Sequence, residues 1–439
     1  MLQPAAAPKG AHDEVRNSSW GQVLLLALIL FGGAMMLTAF GPMQEAAKHD
    51  MKLSDLALSM VQGLATGAPA ALIAVPISWL IDHGNRVRLL ICVFALCVIG
   101  SLWTSFAVGA WTLATARMLA AIGAGSAVAV IISLSADLCV PDHRGRAIVI
   151  LGLGTFAGGS AAFVVGGILL GVLASHPLAI LGAMTPWRAA NLLLSVVGVV
   201  LLLPLFLLRE PQRHEVEMQR PTLNTAFLAL WAKRRFLGPL FIGQLGIGMA
   251  DTAASIWASP VLIRDFHQSP AQFAGWVGGM LFVGGVGGSI LGGLSADWGH
   301  KTGRRGGLLF AAVIATFIGI PAALFPIMHT LAGFQLLFFL LLFSGAVTAV
   351  VSSTTVTVLI PNDERGASMA AFGIVSNLIG KSLAPTVVTL ASSAMGGEQH
   401  LGVALAATGL VTGVVSFAGY VLAMRNAPLS ATEPTLIRA

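Results

Sequence analysis

Charge is scarce in this chain: Asp, Glu, Lys and Arg together make up 10% of its 439 residues. A soluble chain of that length normally carries about a quarter, so there is too little charge to cover a water-facing surface. Lipid can face such a chain instead. The three cysteines, Cys92, Cys97 and Cys139, fall in or beside apolar runs and offer neither a disulfide framework nor metal-ligand spacing. No nucleophile elbow is present, so an enzyme reading finds no catalytic constellation, no metal and no cofactor. The glycine run from Gly278-Gly279 to Gly292-Gly293 lacks the strand and the Gly-Lys-Ser/Thr ending of a phosphate loop, and reads as close helix packing. A pI near 9.7 suggests nucleic acid only where basic residues share one patch. Here they sit in short clusters between apolar runs, which is a membrane-topology pattern.

What the chain has is apolar length: 56% of residues are hydrophobic and the mean hydropathy is +0.87. About 20 such residues cross a ~30 Å hydrocarbon core, and the runs predict twelve spans. Their limits are 20–43, 57–81, 88–107, 110–136, 146–173, 189–208, 237–263, 271–296, 306–327, 330–358, 366–395 and 401–424. The first reads as a span and not a removed signal peptide, because no small-residue cleavage site follows it. Each must be helical, since lipid leaves the backbone groups of an open strand unsatisfied.

Of the 24 Lys and Arg residues, Arg117 and Lys381 lie inside spans, and only Lys48, Lys52, Arg188 and Arg264 fall on the side opposite the termini. The other eighteen fall on the side of the termini, which places both termini in the cytoplasm. The longest polar stretch, 209–236, follows the sixth span, where a linker between bundles belongs. The expected organisation is a tail at 1–19, a six-helix bundle at 20–208, that linker, a second bundle at 237–424 and a tail at 425–439. Two motifs recur in order. Asp82 to Arg88 after span 2 is answered by Asp297 to Arg305 after span 8, and Pro141 to Ala147 after span 4 by Pro361 to Ala367 after span 10. Such repetition implies two related halves with a substrate site between them. The fold expected is an all-α membrane protein of two pseudo-symmetric six-helix bundles.

The acid-to-basic loops after spans 2 and 8, with Arg117 to Gly125 in span 4, resemble the signatures of the major facilitator superfamily. Within it the chain is most similar to the spinster-like branch, on Lys52-Leu53-Ser54-Asp55, Trp187-Arg188-Ala189-Ala190, Leu208-Arg209-Glu210-Pro211, Trp257-Ala258-Ser259-Pro260 and Arg264-Asp265-Phe266. That branch usually carries an Asn-x-x-Asp-Arg-like stretch in span 1, implicated in proton coupling. Gly33 to Thr38 here is uncharged. Ser78 stands where the first loop signature usually has Gly, and Gly158-Gly159 stands where drug antiporters show Gly-Pro. The resemblance implies alternating access, no bound cofactor, a monomer and a place in a bacterial-type inner membrane.

A charge at mid-membrane costs about 2.5–3.5 kcal/mol on insertion scales, so each one is a functional candidate. At ~1.5 Å per residue, Asp251 in span 7 and Lys381 in span 11 both reach ~20 Å from the side of the termini and can face each other. Arg117 has Glu45 as its nearest acidic candidate. Arg117 and Lys381 would attract an anionic group, and Asp251 would release Lys381 on protonation. A buried carboxyl beside an ammonium titrates where desolvation and attraction balance. The alternative is a permanent Asp251–Lys381 salt bridge that locks the bundle. Gln244 and Asn377, like Gln62 and Gln335, suit either a substrate or interhelical hydrogen bonds. Trp257 suits a cavity wall or an interface anchor. Asp82, Arg86, Arg88, Asp137, Arg144, Arg146, Asp297, Arg304, Arg305, Glu364 and Arg365 suit charge-assisted gate contacts or topology signals.

These residues predict a secondary transporter of a small amphipathic organic anion, lysolipid-like or a carboxylic acid, coupled to protons. Its cavity is expected to be apolar and Met-rich. The partners expected are the substrate, protons and membrane lipid, with no nucleic acid. A multidrug or lipid exporter, an uncoupled facilitator and a non-transporting receptor in the same fold are the competing readings.

Overall fold

The computed structural model describes residues 19–176, 182, 184–213 and 231–428. Among the described residues, twelve long helices carry the fold. In chain order they are α1 (Trp20–Met51), α2 (Asp55–His83), α3 (Arg86–Ser105), α4 (Ala110–Leu138), α5 (Arg144–Ser175) and α6 (Pro186–Leu207), followed by α7 (Arg234–Arg264). Then come α8 (Pro270–Lys301), α9 (Gly307–Ile327), α10 (Leu331–Leu359), α11 (Glu364–Ala394) and α12 (Glu398–Asn426). Eleven of them are long and apolar enough to cross a membrane; the remaining one, α7, is 31 residues long and carries Gln244 and Asp251. Most of the segment expected as a linker, nearly all of the expected first tail and most of the second lie outside the described residues.

The helices begin and break where the residues require it. Ser54, Asn85 and Thr330 cap α2, α3 and α10 by accepting from the backbone N–H three residues on. Pro186 and Pro270 stand at first-turn positions, where a missing N–H is harmless. Inside a helix, proline does more. Pro42 removes the N–H that would bond Thr38, and α1 breaks at Ala39 before resuming to Met51. The first span therefore runs past its expected end at 43. Pro69 and Pro385 each follow a wide π-type turn, Met60–Leu64 in α2 and Val375–Lys381 in α11. Such turns frequently mark functional sites.

The same helix pairings occur in each half. In the first, α1 packs on α4, α5 and α6; in the second, α7 packs on α10, α11 and α12. Likewise α2–α4, α3–α4, α3–α6 and α5–α6 are matched by α8–α10, α9–α10, α9–α12 and α11–α12. Small residues permit the approach: a Cβ on Gly100 would lie 2.3 Å from the Ala120 backbone nitrogen, and one on Gly246 2.4 Å from the Thr412 carbonyl. The two bundles meet along α5–α8 and α2–α11, a pair of contacts related by the same repeat. Along the latter, a Cβ on Gly67 would stand 2.3 Å from Ser382 Oγ. Along the former, Gly278 and Gly285 of the α8 glycine run face Ser160 and Phe156, while Gly288 and Gly292 face α10. The run is a packing surface on both sides of α8.

Candidate functional site

A cavity of about 700 Å³ lies between the bundles, lined from both halves. Its charged groups are Arg117 from α4, Asp251 from α7 and Lys381 from α11. The break in α1 brings Leu37, Thr38 and Gly41 to its wall, and the wide turn in α2 brings Gln62. Lys381 ends the wide turn in α11 and is exposed to the cavity. Phe156, Phe163 and Leu281 give it apolar wall, with Thr and Ser hydroxyls between them. The expected methionine lining is not found among the described residues. Met35, Met36 and Met43 are buried in the helix packing instead.

Three charges expected inside the membrane thus share one space. Arg117 is 4% exposed; it donates to Leu37 O and to Gln62 Oε1, each at 2.9 Å, and lies 5.1 Å from the centre of the Phe40 ring. Its Nε has no hydrogen-bond partner among the described residues. Asp251 packs against Gly345, where a Cβ would come within 3.0 Å of its Cγ, and its Oδ1 also has no partner among the described residues. Asp251 and Lys381 form no ion pair within 4.0 Å there, so the locked salt bridge is not the arrangement seen.

Four other expected positions are placed elsewhere. Glu45 does not reach Arg117, because α1 resumes beyond its break and carries Glu45 to the bundle end, where Arg264 holds both of its oxygens at 2.9 Å. Gln244 accepts from Tyr420 Oη at 2.7 Å and Ser352 Oγ at 3.3 Å, a buried polar knot behind the cavity wall. The Asn377 side chain turns back along its helix to donate to Gly373 O at 2.8 Å. Trp257 is fully buried and donates from Nε1 to Pro385 O at 3.3 Å, which makes it an anchor between α7 and α11. None of the four lines the cavity.

Charge-assisted contacts occur at both ends. At the Glu45 end, Arg264 of α7 also grips both Asp55 oxygens, at 2.7 and 2.8 Å. Lys48 bonds Asp55 at 2.7 Å and Glu398 at 2.5 Å, and Glu398 accepts from the Asp55 N–H at 2.7 Å. These contacts tie α1 and α2 to α7 and α12 across the bundle boundary. Asp50 accepts from Trp187 Nε1 at 2.9 Å and Arg188 Nε at 3.0 Å within the first bundle. Sequence reasoning missed Lys48, Asp55, Arg264 and Glu398 as a unit. The only signal was that acids and bases alternate at helix ends that are far apart in the chain.

At the opposite end, Arg86 is 3% exposed and joins Asp137 at 2.5 Å to Glu210 at 2.9 Å. The carbonyls of Ile81, Asp82 and Gly84 are capped by Arg213 and not by Arg86 or Arg88, since Arg86 turns inward. Arg88 and Arg146 are exposed. Arg144 is half-buried at the start of α5. Glu364 pairs with Lys233 at the foot of α7 and not with Arg365, whose Nε has no partner among the described residues. Arg305 donates to Ala427 O at 2.8 Å, while Asp297 and Arg304 are exposed.

A chain of hydrogen bonds runs from Arg117 along the cavity wall to the second bundle. Arg117 holds Gln62 Oε1, Gln62 Nε2 donates to Gln44 Oε1 at 2.9 Å, and Gln44 Nε2 donates to Ile256 O on α7. It crosses from one bundle to the other in three steps.

The family model of the Major Facilitator Superfamily matches residues 24–385. The chain belongs to that superfamily. The chain is 24% identical over 422 residues to an MFS-type efflux pump of Mycolicibacterium smegmatis, covering 92% of this chain and 93% of that one. Its fold matches crystal structures of a bacterial homologue of the human lysosomal transporter Spinster. The inward-facing, unoccupied form has a TM-score of 0.77 at 22% identity, covering 94% of this chain and 98% of that one. The inward-facing, occupied form gives 0.75 at 22% identity, covering 92% and 97%. The protein is thus a multi-pass membrane transporter with a spinster-like fold, and not an enzyme.

Proposed function

We propose that this transporter moves a small amphipathic organic anion by alternating access, with protons as the coupled ion. The observation that carries the reading is the charge of the cavity: Arg117 and Lys381 against Asp251 alone. A volume of about 700 Å³ suits one drug-sized molecule. An anionic head would sit between Arg117 and Lys381, with its apolar part along Phe156, Phe163 and Leu281. Asp251 lines this space and has an unpartnered oxygen, so it can take a proton as the anion binds Lys381 and give it up when the anion leaves. With α1–α6 and α7–α12 as the two rocking bodies, a ligand drawing on Arg117 competes with Gln62 and loosens the chain through Gln44 to Ile256. The Glu45 end, which the Lys and Arg distribution places outside the cell, would then lose one of the contacts that join the bundles.

The test is flux into liposomes under an imposed pH gradient, with single-chain lysophospholipids and aromatic carboxylates compared against neutral and cationic amphiphiles. Gradient-driven accumulation of an anion is expected. Anion flux indifferent to the gradient would leave a facilitator, and absence of flux for every anion would remove the substrate class. Export selected by hydrophobicity is the second reading, favoured by the efflux pump relative and by the cavity's aromatic wall. It predicts that cationic compounds compete as well as anionic ones.

A further inference from the structure

A second cavity of about 300 Å³ lies outside the central one, between α8, α9 and α10 of the second bundle. Its lining is aliphatic and aromatic, and its two hydroxyls, Ser295 and Ser344, are already spent on carbonyls of their own helices, Gly292 O and Leu340 O. It therefore offers nothing to a polar solute. Leu291, Trp298, Phe310 and Ile314 on its wall are 47%, 63%, 50% and 45% exposed, so it opens sideways from the bundle at the level of the membrane. An opening of that kind in a membrane-spanning protein meets acyl chains. From Trp298 to Leu291 it extends about 10 Å along α8.

The occupant's head is set by what lies at one end. Trp298 and Phe310 flank the connection between α8 and α9, which carries Lys301, Arg304 and Arg305. Lys301 lies one turn beyond Trp298 on the same helical face. The first half uses its equivalent basic residue: Arg86 is buried against Asp137 and Glu210. In the second half, Arg305 caps Ala427 O, but the side chains of Lys301 and Arg304 are exposed and without an ion-pair or hydrogen-bond partner among the described residues. Asp297, also exposed, is the one carboxylate on the neighbouring turn, so the cluster stays net positive. Gly306, at a φ of +70°, lets the connection turn against Met424 O, which brings it beside the exposed Arg425 at the end of α12.

We propose that this cleft binds one anionic membrane phospholipid, with an acyl chain along Leu291, Ile314 and Ala311 and its phosphate at Lys301 and Arg304. Trp298 would mark the boundary between the two, as indoles do at the headgroup level. Basic residues beside a cleft between helices on the cytoplasmic side are what anionic headgroups recognise.

The purified full-length protein is titrated with phosphatidylglycerol and, separately, with phosphatidylcholine of the same acyl chains, and retained lipid is read by native mass spectrometry. The two free basic groups correspond to a preference of about tenfold or more for the anionic lipid. Lys301→Gln with Arg304→Gln should remove the preference yet leave weak retention of both lipids. Ala311→Phe should fill the cleft and reduce retention of both. Equal retention of the two lipids by the unaltered protein, or an unchanged preference in the double variant, would overturn the proposal. Displacement of the lipid by millimolar glycerol phosphate would also overturn it, because the acyl chain would then carry none of the binding.

Discussion

Arg264 is the single side chain whose loss should change the transporter's resting conformation most. It makes four hydrogen bonds to Glu45 and Asp55 across the bundle boundary, between 2.7 and 2.9 Å. The side chains of those acids are only 7% and 4% exposed. Breaking a buried ion pair from one side costs about 3–5 kcal/mol, because the remaining charge is left in low dielectric. Arg264 itself is 21% exposed and Lys48 still compensates Asp55, so the lower end, about 3 kcal/mol, applies. Parting of the bundles would hydrate both carboxylates and recover that cost. Arg264→Gln should therefore shift the balance towards an open Glu45 end by roughly a hundredfold. The assay is a cysteine at the cavity wall, Ser255→Cys, in a background with Cys92→Ala. It is labelled by a membrane-impermeant thiol reagent applied from the Glu45 side. Labelling should be slow with Arg264 present and accelerate by one to two orders of magnitude in Arg264→Gln. Arg264→Lys should recover part of the difference. An unchanged labelling rate in a folded Arg264→Gln protein would refute the idea that this cluster holds the end shut.

Within the cavity, Lys381→Ala should abolish anion transport in reconstituted vesicles while leaving the thermal transition unchanged, and Asp251→Asn should keep exchange but lose accumulation driven by a pH gradient. At the α2–α11 contact, Gly67→Val should slow transport and lower stability by about 1–3 kcal/mol, measured by thermal melting in detergent, since its Cβ would meet Ser382 Oγ at 2.3 Å. At the far end, Arg86→Ala leaves Asp137 buried without this partner and should cost about 3–5 kcal/mol, read as reduced melting temperature and yield.

How much of this was legible follows from what each feature depends on. Twelve spans and a two-fold repeat are written in apolar length and in recurring loop motifs, because lipid leaves the backbone no other option. The three intramembrane charges were legible for the same reason: nothing but a function or a partner repays them. Depth counting put Asp251 and Lys381 at one level, and the structure adds Arg117 to the same cavity. What depth counting could not supply was direction. Gln244, Asn377 and Trp257 lie in spans that border the cavity, yet Gln244 and Trp257 point to other helices and Asn377 bonds back along its own, and a one-residue rotation of 100° decides that. Gln62 is the reverse case, an ambiguous amide that the wide turn at Met60–Leu64 brings to the cavity. Glu45 was misplaced for a different reason. Apolar length ends span 1 at 43, whereas the helix resumes beyond its break to Met51 and carries the carboxylate to Arg264.

For the anion transport proposed here, the correction at Glu45 also alters how occupancy of the cavity would reach the Glu45 end. The cavity holds two cations and one acid, while the cluster at the Glu45 end holds Glu45, Asp55 and Glu398 against Lys48 and Arg264. One site is short of negative charge and the other has it in excess. An anion bound at Arg117 and Lys381 satisfies the first without touching the second, so electrostatics alone would give no reason for the end to open. Communication then has to pass through groups that link the cavity to the helices carrying the cluster, α1 and α7. Gln62 and Gln44 are placed for this: Gln62 is held by Arg117, and Gln44, next to Glu45 in the chain, reaches the α7 backbone at Ile256, eight residues before Arg264 on the same helix. Amides suit the task because each can accept on one side and donate on the other, whereas a carboxylate could only accept. A second salt bridge in their place would hold the bundles shut whatever occupied the cavity.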